Sequence, residues 1–156
     1  LALFSLKHPE EKLIMVLVGE GPERDALAAQ AQHLGIASQV IFTGFQNTPF
    51  DYLATFDAFI LASKSEGLPR VVLEAMLLNI PVIGSQVTGT AELIDHASTG
   101  LLFPWSDVSQ LAQHLDSIWT DADLRARLAT AARQNVCRNY AIEKYVSGVE
   151  AVLGAQ

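Results

Sequence analysis

Two glutamates with seven residues between them, Glu66 and Glu74, give the chain its clearest capacity for chemistry. They lie in Ser63-Lys64-Ser65-Glu66-Gly67-Leu68-Pro69-Arg70-Val71-Val72-Leu73-Glu74-Ala75-Met76. Glu66 falls on a turn after an apolar run. Pro69 is suited to the first position of a helix, which puts Glu74 between its first and second turns. Both carboxylates can then address one ligand across the helix N-terminus. The backbone N–H groups of Gly67 to Val71 are free to meet an anion there, and the helix dipole favours one. Amides suit phosphates and carboxylates suit vicinal hydroxyls. A diphosphate flanked by two sets of hydroxyls fits the array, each charge-assisted hydrogen bond contributing about 1.5–3 kcal/mol.

A second stretch, Val87-Thr88-Gly89-Thr90-Ala91-Glu92, follows the next strand and opens the next helix. Glu92 there can close a capping box with the Thr88–Thr90 turn or belong to the site. Arg70 and Lys64 are open to two readings each, a phosphate cation or a solvated surface side chain. Other chemistries fail on spacing. Gly19-Glu20-Gly21 begins like a dinucleotide fingerprint, but Arg24 stands where the third glycine belongs. Walker A, HExxH and GxSxG patterns are absent. His8, His33, His96 and His114 fall in separate elements without ligand spacing, as surface or loop histidines. A response-regulator reading lacks its acidic cluster and its phosphoacceptor aspartate.

The elements that must position these residues alternate along the chain. Apolar runs at Leu13–Val18, Val40–Phe42, Ala58–Ala62, Pro81–Gly84 and Leu101–Phe103 are continuous, the pattern of strands covered on both faces. Between them lie amphipathic segments: Pro22–Leu34, with Pro22 at N1 and Gly35 closing it, Pro49–Thr55, Pro69–Leu78 and Thr90–His96. Strand–helix repetition at this spacing predicts βαβ units in a parallel, doubly wound α/β sheet, whose ligand crevice lies beyond the carboxyl ends of the strands. After Pro104 the chain reads as helical. Asp107 caps a helix to about Trp119, Asp121 or Asp123 caps one to about Asn135, and a last runs from about Ile142 to Leu153. Residues 1–7 read as the end of a helix before a His8-Pro9 break. Either residues 1–6 are instead the first strand, or that strand lies outside this sequence and the sheet has a gap or an unpaired edge. Such an edge invites a second chain, so a homodimer through it is expected.

Composition narrows the partners. The chain has 156 residues, 10 Lys+Arg against 17 Asp+Glu, a net charge of −7 and 50% hydrophobic residues. This is a globular balance, read as one domain over 1–156. The negative charge argues against nucleic acid as a partner, since no basic footprint is present. No apolar run reaches the ~18 residues of a membrane helix. The single cysteine, Cys137, rules out an internal disulfide or a cysteine zinc cluster and reads as a small core residue. No signal peptide is legible at the N-terminus.

The stretch from Glu66 to Glu74 resembles the E-x7-E motif of the retaining glycosyltransferases of family 4, within their pattern S-x-x-E-G-L-P-x-V-x-L-E-A-M. The resemblance runs through the chain. Leu17-Val18-Gly19-Glu20-Gly21-Pro22-Glu23-Arg24 is similar to "VGDGPER", and Val40-Ile41-Phe42-Thr43-Gly44-Phe45 to "VxFxGF". Pro81-Val82-Ile83 precedes a glycine loop ending in Glu92, and Gly100-Leu101-Leu102-Phe103 with Asp107 is similar to "GLLVxxxD". What is resembled is the C-terminal, nucleotide-sugar-binding half of the GT-B fold, Rossmann-like with a helical end.

The resemblance implies transfer of a hexose-type sugar from a UDP, GDP or ADP sugar to a glycan or lipid acceptor. Glu66 would bind hydroxyls of the donor sugar at the catalytic centre and Glu74 the ribose hydroxyls. Amides around Gly67, Leu68 and Arg70 would meet the diphosphate or sugar, and Phe45 and Gln46 would lie near the base. No metal, no further cofactor and no agreed nucleophile are implied. The family's phosphate-binding Arg and Lys, after its first strand, and its acceptor domain have no counterpart in these residues, so the chain is expected to be inactive alone. Thr88 stands where the first of two glycines is usual. The setting implied is cytoplasmic, at the inner face of a bacterial membrane, in polysaccharide assembly. A sugar-nucleotide epimerase of the same fold and a non-catalytic binding module are the competing readings.

Overall fold

The computed structural model describes residues 1–140; the helix expected over 142–153 lies outside them. The chain divides into two compact units, Leu1–Thr55 and Phe56 onward. In the first, α1 (Ala2–Lys7) precedes β1 (Met15–Val18), α2 (Arg24–His33), a short 3-10 turn at Ala37–Gln39, β2 (Val40–Gly44) and α3 (Pro49–Leu53). Residues 1–6 are therefore helix rather than strand. Phe4 anchors α1, being 2% exposed, and the Ser5 hydroxyl donates to Gln39 Oε1 at 2.7 Å. β1 and β2 pair in parallel, Met15 beside Val40.

Pro22 does not open α2. Arg24 N–H bonds the Gly21 carbonyl at 3.2 Å, so Pro22 takes the second position of a turn and the helix begins after Glu23. The other end of α2 follows the sequence. Gly35 adopts φ +68°, its N–H reaches the Gln32 carbonyl at 3.0 Å and Ile36 N–H the Ala31 carbonyl at 2.9 Å, a Schellman closure.

The second unit contains β3 (Phe59–Leu61), α4 (Arg70–Leu77), β4 (Val82–Ser85), α5 (Thr88–Leu93), β5 (Leu101–Phe103), α6 (Val108–Thr120) and α7 (Ala122–Asn139). Its strands run in parallel in the order β3-β4-β5. Among the described residues the strands form two parallel ladders, one in each unit. β4 and β5 are fully buried, as continuous apolar runs predict. β1, β2 and β3 are only partly covered, and α2 buries no residue but Ala31.

α4 buries Val72, Ala75 and Met76, the i, i+3, i+4 stripe of an amphipathic helix, and packs against α7. It ends on Asn79 at φ +61°, with Ile80 N–H on the Ala75 carbonyl at 3.0 Å. Asp107 Oδ1 accepts the Gln110 N–H at 2.9 Å and Asp121 Oδ1 the Leu124 N–H at 2.8 Å, capping α6 and α7. α7 runs four residues beyond the expected Asn135. Its buried stripe is Leu128, Ala129, Ala132 and Val136; Cys137, one position further round, is exposed and is not a core residue.

His96 and His114, read as unrelated surface positions, meet at the outer side of β5. The Leu102 N–H donates to His96 Nδ1 at 2.9 Å, and His114 Nε2 donates to the Leu102 carbonyl at 3.0 Å. Their rings lie 5.7 Å apart. Burial pushes the His114 pKa below its ordinary 6.5; proximity to His96 pushes the same way, and the bond to Leu102 opposes both. The folded chain therefore resists a proton that the unfolded chain accepts. Stability is complete above the ordinary imidazole value and falls as pH drops through 6.5 toward the lower folded value. Denaturant unfolding at pH 7.5 and 5.5 should show this loss. His114→Gln, which keeps a donor without titrating, should flatten it.

Candidate functional site

The loop between β3 and α4, residues 62–69, carries Glu66 at the carboxyl end of a parallel strand. Parallel pairing of β3 with β4, Leu61 opposite Gly84, brings the carboxyl ends of both strands side by side. The loop is tied to its neighbours at three places. The Ser85 hydroxyl, completely buried, donates to the Ser63 carbonyl at 2.6 Å. Gly89 N–H, in the first turn of α5, donates to the Glu66 carbonyl at 3.3 Å. Lys64 Nζ stands 5.4 Å from the centroid of the Trp105 ring, on the loop after β5. Lys64 is thus engaged in a cation–π contact worth about 0.5–1 kcal/mol at an exposed site.

Glu66 and Glu74 are both half-buried, and neither carboxylate has a hydrogen-bond or ion-pair partner among the described residues. Glu74 is the fifth residue of α4, which starts at Arg70 with Pro69 in extended conformation before it. Val72 N–H bonds the Pro69 carbonyl at 3.0 Å. The N–H groups of Gly67, Leu68, Arg70 and Val71 have no partner among the described residues. Leu68 is exposed, and so is Arg70, with no carboxylate partner among those residues. Two free carboxylates and a run of free amides therefore share one loop–helix junction. Such a junction can accept hydrogen bonds from hydroxyls and donate them to phosphate oxygens.

Glu92 makes no helix cap. α5 begins at Thr88 after extended Val87, so Glu92 is the fifth helical residue, two beyond the position a capping box requires. Its side chain is exposed.

In the first unit, the carboxyl ends of β1 and β2 frame a cleft of about 650 Å³ lined by Glu20, Gly21, Arg24, Phe42, Thr43 and Gly44. The irregular backbone there relies on two glycines. Gly19 at φ +117° donates to the carbonyl of Gly44 at φ +68°, distance 3.0 Å. Arg24 lies over the Phe42 ring, 5.9 Å from its centroid. Phe45, beside this cleft in sequence, is 69% exposed and free to stack. Gln46 Nε2 donates to the Thr43 carbonyl at 2.9 Å, so its amide braces its own loop and leaves Oε1 and a second N–H for a ligand. The cleft was not read from the sequence, although "GEGPER" and "VIFTGF" both end in it. Among the described residues no group of three or more His, Cys, Asp or Glu could hold a metal ion.

The profile of the family described as "Glycosyl transferases group 1" matches residues 1–135. The chain is 33% identical over 138 residues to N-acetyl-alpha-D-glucosaminyl L-malate synthase of Bacillus anthracis, covering 88% of this chain and 36% of that relative. It is 25% identical to Anabaena HepE, solved in complex with UDP-glucose, with a TM-score of 0.86 over 99% of this chain and 44% of that one. It is 27% identical to the C-terminal domain of a glycosyl transferase group 1 family protein of Francisella tularensis, TM-score 0.80, over 90% of this chain and 75% of that one. The chain thus spans little over a third of the curated relative's length. The parallel α/β fold is that of the Rossmann-like C-terminal half of GT-B structures.

The Ser85 tie carries a stability consequence. Ser85→Ala removes a fully buried donor and leaves the Ser63 carbonyl without it. A loss of about 1–2 kcal/mol is expected in denaturant unfolding.

Proposed function

Because this chain belongs to the glycosyl transferases of group 1, we propose that it is the donor-binding half of a retaining enzyme of family 4, with Glu66 and Glu74 as the ends of its E-x7-E motif. One observation carries this reading: two carboxylates flank a run of amides at the start of α4, and none of these groups has a partner among the described residues. Glu66 accepts hydrogen bonds from hydroxyls of the transferred hexose, and Glu74 from the ribose. The amides of Gly67, Leu68 and Arg70 stabilise the negative charge that builds on the departing diphosphate, interactions worth most where water is excluded. Phe45 stacks on the base, and Gln46 offers it Oε1. UDP is the first nucleotide to test because HepE was solved with UDP-glucose; GDP and ADP are the alternatives.

The whole enzyme would pass the sugar to a glycan or lipid-linked acceptor held by a second half, in the cytoplasm at the inner membrane. The chain by itself should give no transfer above background. Pairing of two copies along an open strand edge is the dimer this reading allows, and light scattering would reveal it. The epimerase and binding-module readings draw no support from the site. An epimerase needs an acid–base pair at the sugar, while His96 and His114 are both bound to Leu102.

Titration calorimetry with UDP, GDP and ADP tests the proposal. One nucleotide should bind, and Glu74→Ala should weaken it about tenfold, the loss of one charged hydrogen-bond group. Equal affinity in the variant would sink the assignment of Glu74. In the full-length enzyme Glu66→Gln should lower kcat/KM for the donor by about 100-fold or more.

A further inference from the structure

Gly89 stands where a side chain cannot. A Cβ on it would overlap the Gly67 carbonyl oxygen and come 2.5 Å from the Gly67 carbonyl carbon and 2.8 Å from the Glu66 carbonyl oxygen. All of these are backbone atoms, so no rotamer change relieves the contact. The loop bearing Glu66 would have to move. Gly89 is buried and its φ is not in the left-handed region, so what demands glycine is this approach and not its own backbone. The next residue shows how firmly the junction is packed. Thr90 is completely buried, and its Oγ1 has no hydrogen-bond partner among the described residues, an unfavourable arrangement for a hydroxyl.

We propose that Gly89 is a positioning residue for donor recognition: its bare Cα and its N–H on the Glu66 carbonyl set the height of the 66–67 loop and thereby the reach of the Glu66 carboxylate. This rests on the reading that Glu66 meets the donor sugar. Gly89 acts on that carboxylate through the loop, whereas Glu74 is carried by α4. A change at Gly89 should therefore separate recognition of the sugar from recognition of the nucleotide.

The test uses calorimetry with UDP, UDP-glucose and UDP-N-acetylglucosamine on the wild-type chain and on Gly89→Ala. In the variant, affinity for the sugar nucleotide that binds best should fall about tenfold while UDP changes within about threefold. Ile118→Val is the control. It removes one methylene from a buried side chain of α6, which carries neither the loop nor Gly89. It should lower the unfolding midpoint and leave both affinities within about twofold. Equal losses for UDP and the sugar nucleotide, or a matching loss in Ile118→Val, would overturn the proposal and mark a general packing defect. A second measurement covers failure of Gly89→Ala to fold. By reciprocity, binding of the sugar nucleotide to the wild type should slow hydrogen exchange of the Gly89 amide about threefold more than UDP does. Equal protection by both would also overturn it. If the wild-type chain binds none of these ligands, the donor-site reading itself fails and this inference falls with it.

Discussion

Parallel pairing of β3 with β4 is the constraint on which the second unit's chemistry depends. Antiparallel neighbours would send the two following loops to opposite ends of the ladder. Parallel neighbours send them to the same end, where loop 62–69 and the segment 86–89 must share space. Sharing is possible because one contributes a glycine and the other a turn with an outward carbonyl. The Ser85 and Gly89 ties are consequences of that shared end. A loop with exposed residues and free amides is held from one side by buried groups while its opposite side stays available. Preorganisation of this kind makes a hydrogen-bonding site effective, because little order has to be created when a ligand arrives.

What the sequence disclosed, and what it withheld, divides along a physical line. Asp107, Asp121 and Gly35 were legible because a cap is a local event, decided within four residues of backbone. The strand runs were legible for a similar reason, each being a short continuous segment. Pro22 misled because a turn and a helix N-terminus both favour proline, and Gly21 tipped the balance by supplying the turn's first carbonyl. Cys137 misled because one step along α7 swings a side chain about 100° off the buried stripe. The histidine pair, the cleft between "GEGPER" and "VIFTGF", and the steric role of Gly89 were hidden. Each joins segments far apart in sequence, and only strand register brings them together. A glycine reads identically whether it serves a turn, a flexible loop or a close approach.

The two units distribute their stability differently. Unit 2 has β4 and β5 buried and a helical layer with Val72, Met76, Leu115, Ile118 and Leu128 inside it. Unit 1 keeps its strands half-covered and relies on Phe4, Ala31 and Leu53 as its buried apolar residues. Opening within unit 1 should therefore cost less than opening within unit 2, since protection from local unfolding follows buried contacts. The loop and helix bearing the two carboxylates belong to the firmer unit. The aromatic Phe45 belongs to the looser one.

The imidazole pair on Leu102 bears on how the second unit's ladder can grow. A strand edge offers each alternate residue's N–H and C=O to any passing chain, and on β5 those of Leu102 are already consumed by side chains of the same molecule. The block is made of two imidazole rings instead of the lysine, proline or bulge that usually guards an edge. It takes both backbone groups of one residue at once, so no added strand can bond Leu102. The side chains that fasten β5 to α6 and to the segment after α5 thus also decide where the ladder stops.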